Sequence, residues 1–245
     1  MVPVLWIVAA LTAQERGFSV VLPELQYSRH CSSEITLHNP SLRFVDADVV
    51  GHKSTGALVP LLDRRTNRIR LRPSERIRTR LEVENDTAWA EVMELVPSPR
   101  LQPVLAISGL TECLDGNELL TTAREIVPPA ANPDFTLDRE DRSLKGMVLL
   151  VINASSRRAQ WTACYSAGHT VSNGSGVMVP LCSQTLGRTL APYQSSRLEV
   201  SVEGNPLTKF RAVGPAIAIQ ILAPSAPQVQ MFKVESGIRF DEPGR

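Results

Sequence analysis

The sequence predicts an all-β protein built from two tandem β-sandwich domains, and three features of the chain support this fold class. The 18 prolines and 14 glycines are spread along all 245 residues, and aromatic residues make up only 5%, which suits many short strands and turns. Apolar and polar residues alternate along several segments, and a series of segments recurs in the same order. With 43% hydrophobic residues, the chain can bury a core in each domain.

The repeated series starts with an asparagine-containing turn. "LHNPSLRFVDADVVGH" (residues 37–52) is answered by "INASSRRAQWTACYSAGH" (residues 152–169), and both end in Gly-His. Three further pairs follow: "GALVPL" (56–61) and "GVMVPL" (176–181), "RIRLRPSERIRTRLEV" (68–83) and "GRTLAPYQSSRLEVSV" (187–202), and "AWAEVMELVP" (88–97) and "PAIAIQILAP" (215–224). The offset grows only from 114 residues between Asn39 and Asn153 to 127 between Ala88 and Pro215. We interpret this pattern as a duplication with insertions in loops.

Alternation at period two predicts seven strands in the first copy. In "RIRLRP", Ile69 and Leu71 alternate with arginines, and in "ERIRTRLEV", Ile77 and Leu81 do the same. The predicted strands lie near residues 18–22, 32–38, 43–50, 56–62, 67–72, 76–84 and 88–96. Seven short alternating strands predict an immunoglobulin-like sandwich. No stretch shows a long helical pattern, and "GNELLTTAREI" (116–126) is the segment that could supply two or three helical turns.

The ends of the chain and a proline-rich stretch set the predicted domain limits. "MVPVLWIVAALTA" is apolar but too short to span a bilayer, which predicts an export signal; a buried first strand or a misplaced start codon are the alternatives. "VPSPRLQP" (96–103) has three prolines, which discourage continuous pairing. The predicted organisation is a signal segment at 1–15, a domain at 16–98, a linker at 99–103, a domain at 104–240 with an insertion at 112–146, and a tail at 241–245.

The four cysteines have no C-x-x-C spacing, which disfavours a zinc site. In an oxidising compartment we expect Cys164 and Cys182 to pair, because neighbouring strands of one domain would carry them. Closing that loop would stabilise the fold by about 3 kcal/mol. Whether Cys31 and Cys113 pair stays open, and buried free thiols are the alternative.

The overall charge gives no reason to expect a nucleic-acid or membrane partner. Lys and Arg number 26 and Asp and Glu number 25, a formal net charge of +1, so any electrostatic attraction must be local. Outside the N-terminal run, no stretch is apolar for long enough to predict a transmembrane helix in the mature chain.

A local cluster of arginines is the predicted partner-binding site. Its members are Arg68, Arg70, Arg72, Arg76, Arg78 and Arg80. If the two strands pair as a hairpin about "RPSE", six guanidinium groups crowd one sheet face, which favours an acidic protein surface, a polysaccharide or another anionic surface as the partner. The alternative is a solvated face neutralised by acids such as Glu82 and Glu91. No aromatic residues are interleaved, so nucleic-acid bases are not expected to stack there.

Other residue patterns do not predict catalysis, and no metal or cofactor is expected. The four histidines are too scattered for a metal site, and the acids at 138, 140 and 141 alternate with arginines that would neutralise them. "SNGSGV" (172–177) predicts a hairpin turn. Trp89 and Trp161 lie within predicted strands, and we expect each to pack in one of the two cores.

Several of these segments carry a family resemblance. "EITLHNPSLRFVDADVVGH", "GALVPL", "IRLRPSERIRTRLEVEN" and "AWAEVMELVP" resemble the strand order of the major sperm protein and periplasmic pilus chaperone type of immunoglobulin-like domain. A pilus chaperone donates a strand to a partner subunit, and a basic residue on its first strand holds the subunit's terminal carboxylate. The comparable stretch here, "LPELQYS" (22–28), has Glu24 and no Lys or Arg. The resemblance therefore implies an adhesive or scaffolding module.

Together, these features predict a non-enzymatic extracytoplasmic binding or scaffold protein. Its sandwich faces or exposed edge strands would hold a protein or anionic partner. The alternatives are a pilus-chaperone-like assembly factor, and a hydrolase or carbohydrate-active accessory domain with its site within 112–146. The sequence does not predict the oligomeric state.

Overall fold

The computed structural model of the chain describes ten stretches. They are residues 17–62, 64–83, 86–95, 103–116, 118–136, 146–166, 170–172, 178–180, 182–202 and 205–222. The predicted signal segment at 1–15, the tail at 241–245 and the acids at 138, 140 and 141 lie outside the described residues.

The described residues form β-strands and no helix, as the all-β prediction requires. The strands are β1 (Gly17–Tyr27), β2 (Cys31–His38), β3 (Val45–Lys53), β4 (Leu58–Val59), β5 (Arg68–Leu71), β6 (Arg76–Thr79), β7 (Asp86–Leu95), β8 (Ala106–Asp115), β9 (Glu118–Arg124), β10 (Asp134–Thr136), β11 (Val148–Asn153), β12 (Ala159–Tyr165), β13 (Thr170–Ser172), β14 (Met178–Pro180), β15 (Gln184–Leu190), β16 (Ser195–Glu199), β17 (Ser201–Val202), β18 (Asn205–Val213) and β19 (Ile217–Leu222). The helical turns expected at 116–126 were wrong. Gly116, with φ of 62°, lies in the tight turn that folds β9 back onto β8, and pairing with β8 satisfies the backbone of β9.

Two sheets face each other in the first part of the chain. Sheet A has the order β1-β7-β3-β4, with β5 also paired to β3, and sheet B has the order β6-β2-β8-β9. Burial alternates along β2 and β3, as expected for strands with one dry face. One buried cluster takes Leu22 and Val49 from sheet A and Ile35 and Leu37 from sheet B. The two sheets therefore enclose a common core.

A second pair of sheets encloses its own core. Sheet C has the order β10-β18-β12-β15, with β17 also paired to β18, and sheet D has the order β16-β11-β19. Their buried cluster takes Trp161 and Phe210 from sheet C and Leu149 and Leu198 from sheet D. Trp161 thus packs in the core where the sequence placed it. Strands β13 and β14 pair as a hairpin, and the turn at 173–177 lies outside the described residues.

The strand orders of the two pairs of sheets correspond. The order β1-β7-β3-β5 in sheet A matches β10-β18-β12-β15 in sheet C, and β6-β2-β8 in sheet B matches β16-β11-β19 in sheet D. One sequence match is corrected by this pairing. "AWAEVMELVP" contains β7, whose counterpart is β18, whereas "PAIAIQILAP" contains β19, whose counterpart is β8. Both are apolar strands followed by proline, and alternation does not reveal which sheet a strand joins.

A buried asparagine fixes the turn between β2 and β3. Asn39 is fully buried, and its amide nitrogen donates hydrogen bonds to the backbone carbonyls of Arg43 at 2.7 Å and Arg72 at 2.9 Å. Its side-chain oxygen accepts hydrogen bonds from the backbone and hydroxyl of Ser41. One side chain therefore ties the turn to the end of β5.

The same arrangement recurs between β11 and β12. Asn153 is fully buried and donates to the carbonyls of Arg157 at 2.7 Å and Ala191 at 2.8 Å, and it accepts a hydrogen bond from the Ser155 hydroxyl. Ala191 directly follows β15, as Arg72 directly follows β5. Two matching asparagine turns and two matching strand orders thus coincide with the segments that repeat in the sequence.

Pairing with sheet B extends beyond the boundary that the sequence suggested. Strands β8 and β9 follow the predicted linker at 99–103, but β8 pairs with β2 along its length. Strands β8 and β9 therefore belong to sheet B, together with strands that precede the predicted linker. The buried carboxylate of Glu94, near the end of β7, accepts hydrogen bonds from the backbone N–H groups of Val104 and Leu105, which directly precede β8.

The chain between β9 and β10 contacts both pairs of sheets. Val127 exchanges backbone hydrogen bonds with Val21 of β1, at 2.9 and 2.8 Å. Ala130 does the same with Ile217 of β19, at 2.9 and 2.8 Å. The segment predicted as an insertion, 112–146, thus supplies the end of β8, then β9, this connection and β10. Its described residues complete sheets and join them.

A third buried cluster joins the two pairs of sheets. It takes Val21 and Trp89 from the outer face of sheet A and Leu150, Ile152 and Ala218 from the outer face of sheet D. Strand β11 is therefore buried on both faces. The expectation that Trp89 lies in the first core is corrected, because its side chain points away from that core and into the joint. We call this cluster the joint cluster.

Two disulfides link described parts of the chain. Cys31 and Cys113 are directly opposite each other on β2 and β8, with their Cα atoms 4.1 Å apart. Cys164 and Cys182, the pair that the sequence predicted, have Cα atoms 5.3 Å apart. Disulfides are typical of proteins that fold in an oxidising environment.

Candidate binding surfaces and cleft

The predicted arginine hairpin does not form. Strand β5 pairs with β3 in sheet A, and β6 pairs with β2 in sheet B. Ser74, with φ of 59°, lies in the turn that carries the chain from one sheet to the other. The six arginines are therefore divided between two sheets and do not share one face.

Four of the six arginines lie beside carboxylates on neighbouring strands. These ion pairs are Arg68 with Asp48 at 3.0 Å, Arg70 with Asp46 at 3.7 Å, and Arg78 and Arg80 with Glu34 at 3.4 and 3.6 Å. The pairs are solvent-exposed, so each contributes little to stability. The carboxylates come from β2 and β3, not from Glu82 or Glu91, which the sequence proposed as the neutralising acids.

Both arginine-bearing strands lie at sheet edges. Strand β6 is at one end of sheet B, and β5 pairs only with β3. Charged side chains on an edge strand discourage pairing with another chain, because such pairing would bury them. The arginines at 68, 70, 76 and 78 therefore lie on edge strands, where charged side chains oppose pairing with another chain.

The opposite edge of sheet B lacks this protection. Strand β9 has charged residues only at its ends, Glu118 and Arg124, and "LLTTA" between them. The backbone N–H of Leu114 on β8 donates to His30 at the start of β2, so alternation directs the odd-numbered backbone groups of β9 outward. The outward groups at Leu119 and Thr121 have no backbone partner among the described residues.

A cleft of about 440 Å³ lies between sheets A and D. Its lining includes Glu24 and Trp89 from sheet A, and Gln194, Arg197 and, from β15, Arg188. It therefore brings together residues from strands that are far apart in the sequence. The cleft is lined by charged groups of both signs and borders the buried side chain of Trp89.

A bulge in β1 directs Glu24 into the cleft. The register of β1 against β7 shifts between Leu22 and Leu25, and Glu24 has φ of 54°, a left-handed conformation that non-glycine residues rarely adopt. Its carboxylate forms an ion pair with Arg197 of β16. Burial lowers the pKa of Arg197 from its usual value. Glu24, which lies in the stretch where the pilus chaperone resemblance implies a basic residue, thus binds Arg197 from the other pair of sheets.

Little in the sequence indicates this ion pair between Glu24 and Arg197. Arg197 aligns with Arg78 in the repeat, which marks it as an outward residue of an edge strand. In the sequence, Glu24 is conspicuous only as an acid in a stretch where a pilus chaperone has a basic residue. Two residues 173 positions apart in the chain have no local pattern that connects them.

The position of His52 is also not predicted by the sequence. It is buried on β3, and its ring stacks between Trp89, with ring centroids 4.4 Å apart, and Tyr193, at 4.5 Å. Tyr193 belongs to the turn before β16, so the stack joins the two pairs of sheets. Burial lowers the pKa of His52, and the nearby backbone of Gly56 counteracts this effect only in part.

The lowered pKa of His52 makes stability depend on pH. In the unfolded chain the imidazole titrates near pH 6.5, whereas the folded protein disfavours its charged form. This contribution to stability is fully present above pH 6.5 and is lost as the pH falls below it. We expect the free energy of unfolding to fall between pH 7.5 and 5.5, with a slope from His52 of up to about 1.4 kcal/mol per pH unit, measured by urea denaturation.

The control for this prediction is His52→Phe, which keeps an aromatic ring between Trp89 and Tyr193 but cannot titrate. Glu91 also has a perturbed pKa, raised mainly by burial, and its effect on stability has the opposite sign in this range. Because the wild type and His52→Phe both retain Glu91, the difference between their pH profiles reports the contribution of His52 alone. Equal slopes for wild type and variant would contradict the prediction.

The described residues include no group of three or more His, Cys, Asp or Glu side chains placed to hold a metal ion. Within the same part of the chain, no helix has the length and apolar character needed to cross a membrane.

The fold and its surfaces define a disulfide-bonded, all-β protein with several antiparallel sheets, an edge strand whose charges lie only at its two ends, and a polar cleft. Comparison of the chain with protein-family models, curated proteins and solved structures found no match.

Proposed function

We propose that the protein is an exported, non-enzymatic binding or scaffold protein composed of two tandem immunoglobulin-like β-sandwiches. The repeated strand order and the repeated asparagine turn support the tandem architecture. The two disulfides and the apolar N-terminal run support an extracytoplasmic location.

The partner that we propose is a protein that adds an extended segment to the edge of β9. Outward backbone groups on an edge strand bind another strand through main-chain hydrogen bonds, and side chains that alternate along the segment provide specificity. The single observation that carries this proposal is the contrast between the edges of sheet B. Arginines protect β6, whereas β9 has no charge between Glu118 and Arg124.

An anionic partner of the arginines is the second candidate. Arg72 and Arg76 are exposed beside the turn between β5 and β6, and no ion pair involves them in the described part of the chain. They leave positive charge available at one end of the sandwich for an acidic surface or a polysaccharide. The other four arginines of the predicted site would have to exchange their present carboxylate partners for the ligand.

Thr121→Pro tests the β9 edge. Its N–H points away from β8, so proline should preserve the hairpin while removing an outward donor and blocking a new strand. Thr121→Val is the matched control, because it retains the N–H. We expect affinity capture from the native envelope or secretory fraction to yield the same bound proteins for wild type and Thr121→Val, and at least about tenfold less of them for Thr121→Pro.

A third variant separates the two candidates. Arg70→Glu, Arg76→Glu and Arg78→Glu in one chain should leave capture through β9 unchanged, whereas an arginine-bound partner would be lost and would also dissociate steeply with rising salt. Unaltered capture by Thr121→Pro, with thermal unfolding showing that the variant is folded, would refute the β9 proposal.

A further inference from the structure

We propose that protonation of His52 opens the joint, the contact between sheets A and D that contains the joint cluster, while each pair of sheets stays folded. The protein thus has a closed form near neutral pH and an open form in mildly acidic surroundings. This opening is independent of the partner proposed for β9. It is also distinct from the pH dependence of unfolding, which requires only that the unfolded chain binds the proton more readily.

The closed joint accommodates the neutral ring of His52 and not the charged one. The residue is 1% exposed, and its ring lies between those of Trp89 on β7 and Tyr193 in the turn before β16. Neither ring nitrogen has a hydrogen-bond partner among the described residues. In the imidazolium both nitrogens are donors, and a buried donor without an acceptor is costly. The two aromatic faces attract a cation, which offsets only part of that cost.

The carboxylates on the elements around His52 already have partners. These pairs are Lys53 with Asp86 at 3.5 Å, Glu24 with Arg197, and the Glu91 carboxylate with the Ser19 hydroxyl. Arg188 of β15 borders the cleft and adds a further positive charge. Protonation therefore adds a cation to a joint whose acids are engaged elsewhere. The charge is accommodated better when His52 reaches solvent in the open form.

Each pair of sheets can remain folded when the joint opens. The two cores are separate clusters of buried residues, and the joint cluster is a third. Each pair also has its own disulfide: Cys31 with Cys113 between β2 and β8, and Cys164 of β12 with Cys182. Opening therefore uncovers the joint cluster and leaves both cores in place.

The connection between β9 and β10 keeps the two pairs of sheets together in the open form. Val127 bonds to Val21 of β1, and Ala130 bonds to Ile217 of β19. Two prolines lie between Val127 and Ala130. Each pair of sheets thus keeps its own end of the connection, and a rotation between these ends separates the surfaces of the joint without breaking either set of bonds.

Exchange of the Ser195 N–H, followed by NMR, measures this opening. The group donates to the Ser54 carbonyl at 3.0 Å, across the joint and two residues from both His52 and Tyr193. Its protection factor corrects for the effect of pH on exchange of an unprotected amide. We expect the factor to fall by about three- to tenfold between pH 7.5 and 5.5, since tenfold is the limit for one histidine that titrates near pH 6.5 in the open form.

Two amides within the pairs of sheets distinguish opening from unfolding. The Val49 N–H donates to Asn67 in the first pair, and Val151 lies on β11 between β16 and β19 in the second. Both should keep their protection factors. A parallel loss at these amides and at Ser195 would show that the whole fold is lost, and an unchanged factor at Ser195 would show that the joint stays closed. Either result would overturn the proposal.

His52→Phe is the matched control, because its ring fills the stack but cannot bind a proton. The Ser195 protection factor of this variant should change by less than about twofold over the same pH range. An equal decrease in wild type and variant would assign the opening to another group and overturn the role of His52.

A locked joint tests the proposal even if His52→Phe does not fold. The backbone hydrogen bond between Ser54 and Ser195 brings these residues within reach of a disulfide, and the described cysteines are all paired. With Ser54→Cys and Ser195→Cys cross-linked, we expect the imidazole of His52 to titrate at a pH lower by at least about 0.5, because only the closed form remains. Ser54→Ala with Ser195→Ala, which cannot cross-link, should titrate as the wild type does. Identical titrations of the locked and unlocked chains would show that proton binding does not require opening, and would overturn the proposal.

Discussion

Replacing both Cys31 and Cys113 by serine is expected to lower the free energy of unfolding by about 4–5 kcal/mol. This disulfide joins residues separated by 82 positions, whereas Cys164 and Cys182 are separated by 18. In the chain-entropy model, the longer loop restricts the unfolded chain more, so removal of the shorter one should cost only about 3 kcal/mol. Urea denaturation of the two double variants under non-reducing conditions measures the difference.

Wild-type protein unfolded in the presence of a reductant is the control for these variants. Its stability should approach that of a chain with all four cysteines replaced, since only the cross-links differ. A smaller loss for the Cys31 and Cys113 variant than for the Cys164 and Cys182 variant would contradict the loop-length argument. It would indicate that the strands β2 and β8, which pair over their whole lengths, already restrict that part of the chain.

Replacing Trp89 by alanine is expected to lower the free energy of unfolding by about 3–5 kcal/mol and to separate the thermal unfolding of the two pairs of sheets. Trp89 is buried and contributes the largest side chain of the joint cluster. It also stacks on His52, which in turn stacks on Tyr193 across the joint. Loss of the indole would leave a cavity between sheets A and D and remove one side of the stack.

Trp161→Ala is the matched comparison, because Trp161 lies within the second core and not in the joint. We expect it to destabilise the second pair of sheets without uncoupling the two pairs. In differential scanning calorimetry, the unfolding transition of Trp89→Ala should start at a lower temperature and should broaden or split into two. A single sharp transition for Trp89→Ala, with an unchanged midpoint, would show that the joint cluster does not couple the two pairs of sheets.

The strands themselves followed from local residue patterns. The predicted strands at 32–38 and 43–50 correspond closely to Cys31–His38 and Val45–Lys53, because alternation of apolar and polar residues is a property of each strand separately. The two asparagine turns were visible for the same reason. Each asparagine bonds within its turn as well as to a neighbouring strand, so the motif is short and recurs in both copies.

Local residue patterns did not determine which strands pair with each other in a sheet. Strands β5 and β6 are consecutive and carry matching arginines, yet they belong to different sheets. Strands β8 and β9 follow a proline-rich stretch but pair with the first part of the chain. Backbone donors and acceptors are the same on every strand, so the choice of partner depends on how all the apolar faces are buried together.

The sequence by itself determined the all-β class, the positions of strands such as β2 and β3, and the repetition of the turns. Only the tertiary structure decided that Trp89 faces a joint, that His52 lies between two aromatic rings, and that Glu24 meets Arg197. An apolar residue that contacts another pair of sheets has the same sequence pattern as one that faces its own core. Burial depends on the whole set of neighbouring surfaces, and no short segment of the chain contains that information.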